Sequence, residues 1–183
     1  MTRVALLRHA DTAWSREGRI QGRSDQPLLD NSILRLPEAL RGMRIITSPL
    51  KRCTETAALL GAPDAPHEPR LIEMDWGEWQ GETIEGLRKR LGQAMLENEA
   101  RGLDFRPPNG ESPREVLLRV ETWLREVATP TLAITHRGVI RAVLAQATGW
   151  DMRGKPPFRL DWTAAHVFLL DDGKPSIEQL NLK

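Results

Sequence analysis

Tyrosine is absent from this 183-residue chain, phenylalanine occurs only 3 times and cysteine once. The single cysteine, Cys53, cannot form an internal disulfide, which argues against a cross-linked secreted scaffold. An excess of one charge is also missing. Against 26 Lys and Arg stand 25 Asp and Glu, and a net charge of +1 supplies no chain-wide field to attract nucleic acid or an anionic membrane. Any positive field must therefore be local. Long hydrophobic runs are lacking, so no segment reads as a membrane span. No basic segment with a long apolar stretch precedes the first apolar run, and the expected location is the cytoplasm. No repeat, low-complexity tract or linker interrupts the chain.

What is present is enough apolar content, 40%, to bury a core, and the length suits one domain over residues 1–183. Brief apolar runs at 3–8, 43–47 and 131–135 lack strict alternation, as central parallel strands covered on both faces do. Helices are predicted from Pro49 to Leu60, over 83–101, after Ser112, and from Gly138 to near Gly149. The helix after Ser112 opens with Ser112-Pro113-Arg114-Glu115, a capping box with proline at the first helical position. On its wet side Glu115 with Arg119 and Glu121 with Arg125 are spaced to pair. Residues 102 to 111, with Pro107, Pro108 and Gly110, read as a movable loop bordering a pocket. Runs at 158–163, 166–170 and 176–181, with a turn at Asp171-Asp172-Gly173-Lys174, predict an antiparallel sheet edge.

Two strands end in histidine beside arginine: Leu7-Arg8-His9 and Thr135-His136-Arg137. In an open α/β sheet the carboxyl ends of the strands form the ligand edge, so both junctions point to one cationic pocket. A helix N-terminus carries partial positive charge and disfavours cations. Yet Ser48-Pro49-Leu50-Lys51-Arg52 opens a helix with two cations, and His136-Arg137-Gly138-Val139-Ile140-Arg141 opens another with a histidine and two arginines. An anion resolves the conflict: backbone N–H groups and guanidinium groups become favourable together around a phosphate, with Arg8, Arg52 and His136 as donors. An acid is still needed. A strand is expected to end just before Leu71, and beyond it Glu73, Asp75 and Glu78 lie among Trp76 and Trp79, where aromatic walls would raise a carboxyl pKa; spacing does not choose among them.

These residues resemble the histidine phosphatase superfamily in its phosphoglycerate-mutase-like branch, and are most similar to its small phosphatases of the α-ribazole phosphatase type. The likeness spans nearly the whole chain. Leu7 to Thr12 matches an R-H-G-x-T opening, Gln21-Gly22 with Asp25 and Pro27-Leu28 the loop after it, and Ser48 to Arg52 an S-P-L-x-R segment. Leu71 to Gly81 matches L-x-E-x-x-x-G-x-W-x-G, and Thr135 to Arg141 the second histidine segment. The resemblance implies a three-layer α/β/α sandwich with a mostly parallel sheet and an antiparallel edge. It further implies that His9 is the nucleophile and Glu73 the proton donor, with His136 protonated and binding phosphate beside Arg8 and Arg52. Ser15, Gln21 and Gly22 are expected to border the same phosphate, and Arg137, where the family's mutases carry a second glycine, is read either as an added phosphate-binding cation or as a surface arginine. No metal or other cofactor is implied, and the partner is a small-molecule phosphate ester.

Departures from the family pattern carry expectations of their own. Ala10 stands in place of glycine, which requires negative φ. Ser15 replaces an asparagine, shortening one reach to phosphate. Only 20 residues run from Leu28 to Thr47, with Pro37 among them, so the helix there should be truncated and the segment open to association, including a homodimer. The rival readings are a mutase, disfavoured by the short chain, a phosphate-binding pseudoenzyme, disfavoured by the retained Glu73, and a metal hydrolase. The last fits poorly, since His9, His67, His136 and His166 contain no close ligand pair. His67 and His166 are read as structural or surface residues, and Cys53 as a small packed one.

Overall fold

The computed structural model describes residues 1–32 and 34–183. In chain order the elements are β1 (Thr2–Arg8), α1 (Ala13–Arg16), β2 (Arg44–Thr47), α2 (Lys51–Leu59), α3 (Ile84–Leu91), α4 (Gln93–Glu99), α5 (Pro113–Leu124), β3 (Thr131–Thr135), α6 (Arg137–Thr148), β4 (Ala165–Asp171) and β5 (Lys174–Leu182). The strands form one sheet in the order β2-β3-β1-β4-β5. The pairs β2–β3 and β1–β3 are parallel, while β4 and β5 add an antiparallel edge.

Side-chain alternation explains why the apolar runs are continuous. Val4 and Leu6 of β1 pack with Val116 and Val120 of α5 and with Val139 and Val143 of α6. Their neighbours Ala5 and Leu7 point to the opposite face, against Leu40, Leu132 and Val167. On that face Ile134 of β3 meets Cys53 and Ala57 of α2. Helices thus cover both faces, as a strand without polar alternation requires. Each deep Val or Leu contributes about 1.5–3 kcal/mol by burial.

The α5 capping box forms as read: Glu115 N–H donates to Ser112 Oγ at 3.3 Å, and Ser112 N–H to Glu115 Oε2 at 2.8 Å. Because its carboxylate turns back to the cap, Glu115 does not pair with Arg119. It meets Arg106 at 2.7 Å, and Arg119 meets Glu111 at 2.8 Å. The Glu121–Arg125 pair does form.

Four other expectations are corrected. The 83–101 helix is two helices, α3 and α4, because Gly92 between them adopts φ +52°, a left-handed value that only glycine takes easily. Residues 158–163 are not a strand; Asp161 Oδ1 accepts both the amide and hydroxyl of Thr163, a side-chain turn that competes with sheet pairing. No strand leads into Leu71, because Pro69 opens a single 3-10 turn capped by Glu68. The 102–111 loop is pinned: Leu103 N–H donates to Asp151 O, Glu78 N–H to Pro108 O and Glu111 N–H to Asp75 O, at 2.8–3.1 Å.

In the 28–47 segment the described residues hold one 3-10 turn, Glu38–Leu40, in place of a helix. Leu34, Leu36 and Leu40 cover the Ala5–Leu7 face there, while Ile33 lies outside the described residues. The last turn is a two-residue hairpin with Asp172 at φ 49° and Gly173 at φ 74°, both left-handed as a tight hairpin demands.

Candidate active site

Parallel pairing sets Arg8 opposite Thr135, so β1 and β3 end at the same level. His9 N–H continues the ladder to Thr135 O at 3.0 Å, and Ser48 N–H reaches Ile134 O at 2.9 Å from the end of β2. Three strand ends therefore deliver His9, His136 and the start of α2 to one sheet edge. The two imidazoles lie 5.4 Å apart between centroids.

His9 is buried, and its Nδ1 stands 2.7 Å from Ala10 O. A carbonyl oxygen can only accept, so Nδ1 carries the proton and Nε2 keeps its lone pair. Burial, reinforced by Arg8 and Arg52, holds the His9 pKa well below 6.5. The neutral ring is therefore the resting form. Ala10 has negative φ as expected, and its N–H donates to Thr56 Oγ1 at 3.0 Å.

Arg52 is fully buried and directed by two carbonyls: Nη1 donates to Ser24 O at 2.8 Å and Nη2 to Gly22 O at 2.6 Å. Gly22 adopts φ +52°, and an added Cβ would stand 2.6 Å from Gln80 Oε1. Arg8 faces Asp11 at 4.0 Å, and burial, with the nearby charge of Arg137, lowers its pKa to about 10. It remains a cation at neutral pH. The Nε atoms of Arg8 and Arg52 are both buried without a hydrogen-bond partner among the described residues.

His136 is fully buried, with Nε2 2.7 Å from Ser48 Oγ and 3.4 Å from Cys53 Sγ. Burial first, and then Arg52, holds its pKa well below 6.5. Without phosphate the neutral ring is favoured, because a third positive charge in a desolvated site beside Arg52 is unfavourable; the protonated ring expected from the resemblance belongs to the phosphate-bound pocket. Cys53 is a packed residue as read, its thiol pushed up by burial.

Glu73 alone of the three candidate acids reaches this centre. Its Oε1 accepts from Met74 N–H at 2.8 Å and from Gly138 N–H, in the first turn of α6, at 3.1 Å. Burial raises its pKa above 4.5, the two amides and Arg52 working against that rise. Asp75 instead accepts from Gly77 N–H and faces Arg23, and Glu78 accepts from Asn109 Nδ2.

The outer residues are placed less directly. Ser15 Oγ accepts from Thr12 N–H at 3.0 Å and closes the α1 capping box. Gln21 Oε1 accepts from Thr12 Oγ1 at 2.7 Å. Arg137 is exposed, with its guanidinium 4.9 Å above the Trp162 ring. His166 is buried in β4, and His67 is exposed. Sequence reasoning missed Ser48, Thr56 and Gly138 as contacts of His136, Ala10 and Glu73. Only Gly138 carried a local signal, a glycine in the first turn of a helix where nothing in the helix itself asks for one.

A family model for the histidine phosphatase superfamily (branch 1) matches residues 4–183. A 2,3-bisphosphoglycerate-dependent phosphoglycerate mutase of Methylobacterium radiotolerans is 30% identical over 97% of this chain and 89% of its own. Phosphoserine phosphatase 1 of Hydrogenobacter thermophilus is 26% identical over 100% of this chain and 93% of its own. Among solved structures, TTHB049 from Thermus thermophilus superposes with a TM-score of 0.78 at 30% identity, covering 100% of both chains. A match that begins in β1 and runs to the last residue takes in all three strand ends and Glu73: the chain belongs to the histidine phosphatase superfamily, branch 1.

Proposed function

We propose that the protein is a metal-independent phosphomonoesterase that works through a phosphohistidine at His9. The observation that carries this reading is the His9 tautomer. Its Nδ1–H is held by Ala10 O at 2.7 Å, which leaves the Nε2 lone pair free beside two buried arginines. Nε2 attacks phosphorus, and the bond to the leaving oxygen breaks. Arg8 and Arg52 neutralise charge on the transferring oxygens, joined by His136 as a donor.

Glu73, its carboxyl pKa raised by burial, gives its proton to the leaving oxygen. Water then attacks the phosphohistidine, Glu73 takes the water's proton, and Nε2 departs with its electron pair as neutral imidazole. Ala10 O supports the positive ring in between, since Nδ1 keeps its proton throughout.

The test is hydrolysis of a chromogenic phosphate monoester in excess chelator by wild type and His9→Ala. Full activity without added metal, lost in the variant, supports the reading; a chelator-sensitive enzyme or an active variant overturns it. An acid-labile, base-stable phosphoenzyme should be trapped from wild type alone. The mutase relative motivates one more arm. Phosphate should appear in step with the alcohol and should not be transferred to added 3-phosphoglycerate.

A further inference from the structure

A cavity of about 450 Å³ includes in its wall Met74 and Gly138, the two residues whose amides hold the Glu73 carboxylate. The remaining wall is largely apolar. Trp76 and Phe105 meet edge to face at 5.6 Å, and Met152 closes the far loop. That loop is fixed against 102–105: an added Cβ on Gly102 would stand 2.3 Å from Asp151 O.

Three cations also face this space, and they are not equivalent. Arg88 is neutralised by Glu99 at 2.7 Å. Arg141, one turn into α6, and Lys155 form no ion pair among the described residues. The Arg141 guanidinium lies 5.2 Å from the Trp150 ring centroid. A partly desolvated guanidinium with no ion-pair partner among the described residues, set in an apolar wall, favours an anion carried on an otherwise apolar body.

We propose that this cavity is the leaving-group subsite and takes an alcohol with a planar ring and an anionic substituent, the ring against Trp76 and Phe105 and the anion on Arg141 and Lys155. The proposal rests on the phosphomonoesterase reading. Size favours a ring, since cavities of a few hundred Å³ hold whole drug-sized ligands and a three-carbon acid would fill only a small part of this one. Position favours it too, because the leaving oxygen must sit at Glu73, whose carboxylate is held by the amides of two residues of the cavity wall.

The test compares KM for phenyl phosphate, 3-carboxyphenyl phosphate, the methyl ester of the latter, resorcinol bisphosphate and 3-phosphoglycerate. The carboxylate or the second phosphate should lower KM at least tenfold relative to the methyl ester, and the better of the two identifies the anion. Arg141→Gln and Lys155→Gln should each move that ratio toward one, with Arg141→Lys keeping part of it. Lys155 is exposed, so its variant answers the question even if Arg141→Gln does not fold.

Equal KM values for charged and neutral aryl esters, or ratios unchanged in both Gln variants, overturn the subsite. So does a lower KM for 3-phosphoglycerate than for either charged aryl ester. If phenyl phosphate is hydrolysed in a His9-dependent way while the anion brings nothing, the subsite alone falls. If no ester is hydrolysed through His9, the phosphomonoesterase reading falls and the subsite with it.

Discussion

The Glu73 carboxylate and the Gly138 amide are in direct contact: Oε1 accepts that N–H at 3.1 Å, and a Cβ built on Gly138 would stand 2.3 Å from the same oxygen. The glycine thus gives the acid its seat.

Gly138→Ala should separate activity from stability. The atom that must move is the end of a flexible side chain, and alanine is the better helix former by up to about 1 kcal/mol, so the melting temperature should hold or rise. The displaced carboxyl should lower kcat by about 10²-fold or more for alkyl phosphates, which need protonation of the leaving oxygen, and far less for nitrophenyl phosphate. Equal losses on the two substrates would show that Gly138 does not act through Glu73.

The pH profile follows from two opposed shifts. His9 must be neutral, and its pKa is held below 6.5; Glu73 must be protonated, and its pKa is raised above 4.5. Activity should therefore rise with pH as His9 loses its proton and fall as Glu73 loses its own. For a substrate with a poor leaving group, log kcat/KM against pH should be bell-shaped, and Glu73→Gln should lose the alkaline limb. An alkaline limb unchanged in Glu73→Gln would assign that limb to another group.

Much of this centre was legible in the sequence for a physical reason. Strands buried on both faces are unbroken apolar runs, so Leu7-Arg8-His9 and Ile134-Thr135-His136 showed where the sheet ends and what it presents there. Cations in the first turn of α2 marked the anion seat because they oppose the helix dipole. The proton on Nδ1 of His9 was not legible, since a backbone carbonyl sets it. Nor was the neutral state of His136, which depends on burial that no local pattern reports. The failures at 158–163 and at Glu115 share a cause: a polar side chain turned to a nearby backbone group instead of following the period of its element.

Arg52→Lys should be far from conservative. Lysine keeps the charge, but one ammonium cannot meet both Gly22 O and Ser24 O in the geometry that the guanidinium spans at 2.6 and 2.8 Å. Loss of a charge-assisted bond costs about 1.5–3 kcal/mol, which predicts a drop of roughly 10- to 100-fold in kcat/KM. The 22–24 loop should loosen as well, exposing Arg23 to trypsin faster than in wild type. Wild-type kinetics with unchanged cleavage would show that the two carbonyl contacts are dispensable.

His166 supplies a stability prediction independent of catalysis. It is buried in β4, its Nδ1 accepts Asn181 N–H at 3.3 Å, its Nε2 has no hydrogen-bond partner among the described residues, and burial lowers its pKa to about 4. As pH falls below the ordinary value of 6.5, the unfolded chain binds a proton at this position before the folded one does. The stabilising contribution is therefore complete above 6.5, declines as pH falls toward 4, and changes no further once both states are protonated. Over that window one proton corresponds to a slope of up to about 1.4 kcal/mol per pH unit. His9 and His136, also held neutral, add slopes of the same sign. Urea unfolding at several pH values between 7 and 4 should show wild-type stability falling with acid, and His166→Gln should be less stable at pH 7 yet fall less steeply. Parallel curves for the two proteins would mean that His166 titrates alike in both states and that its burial leaves its charge unaffected.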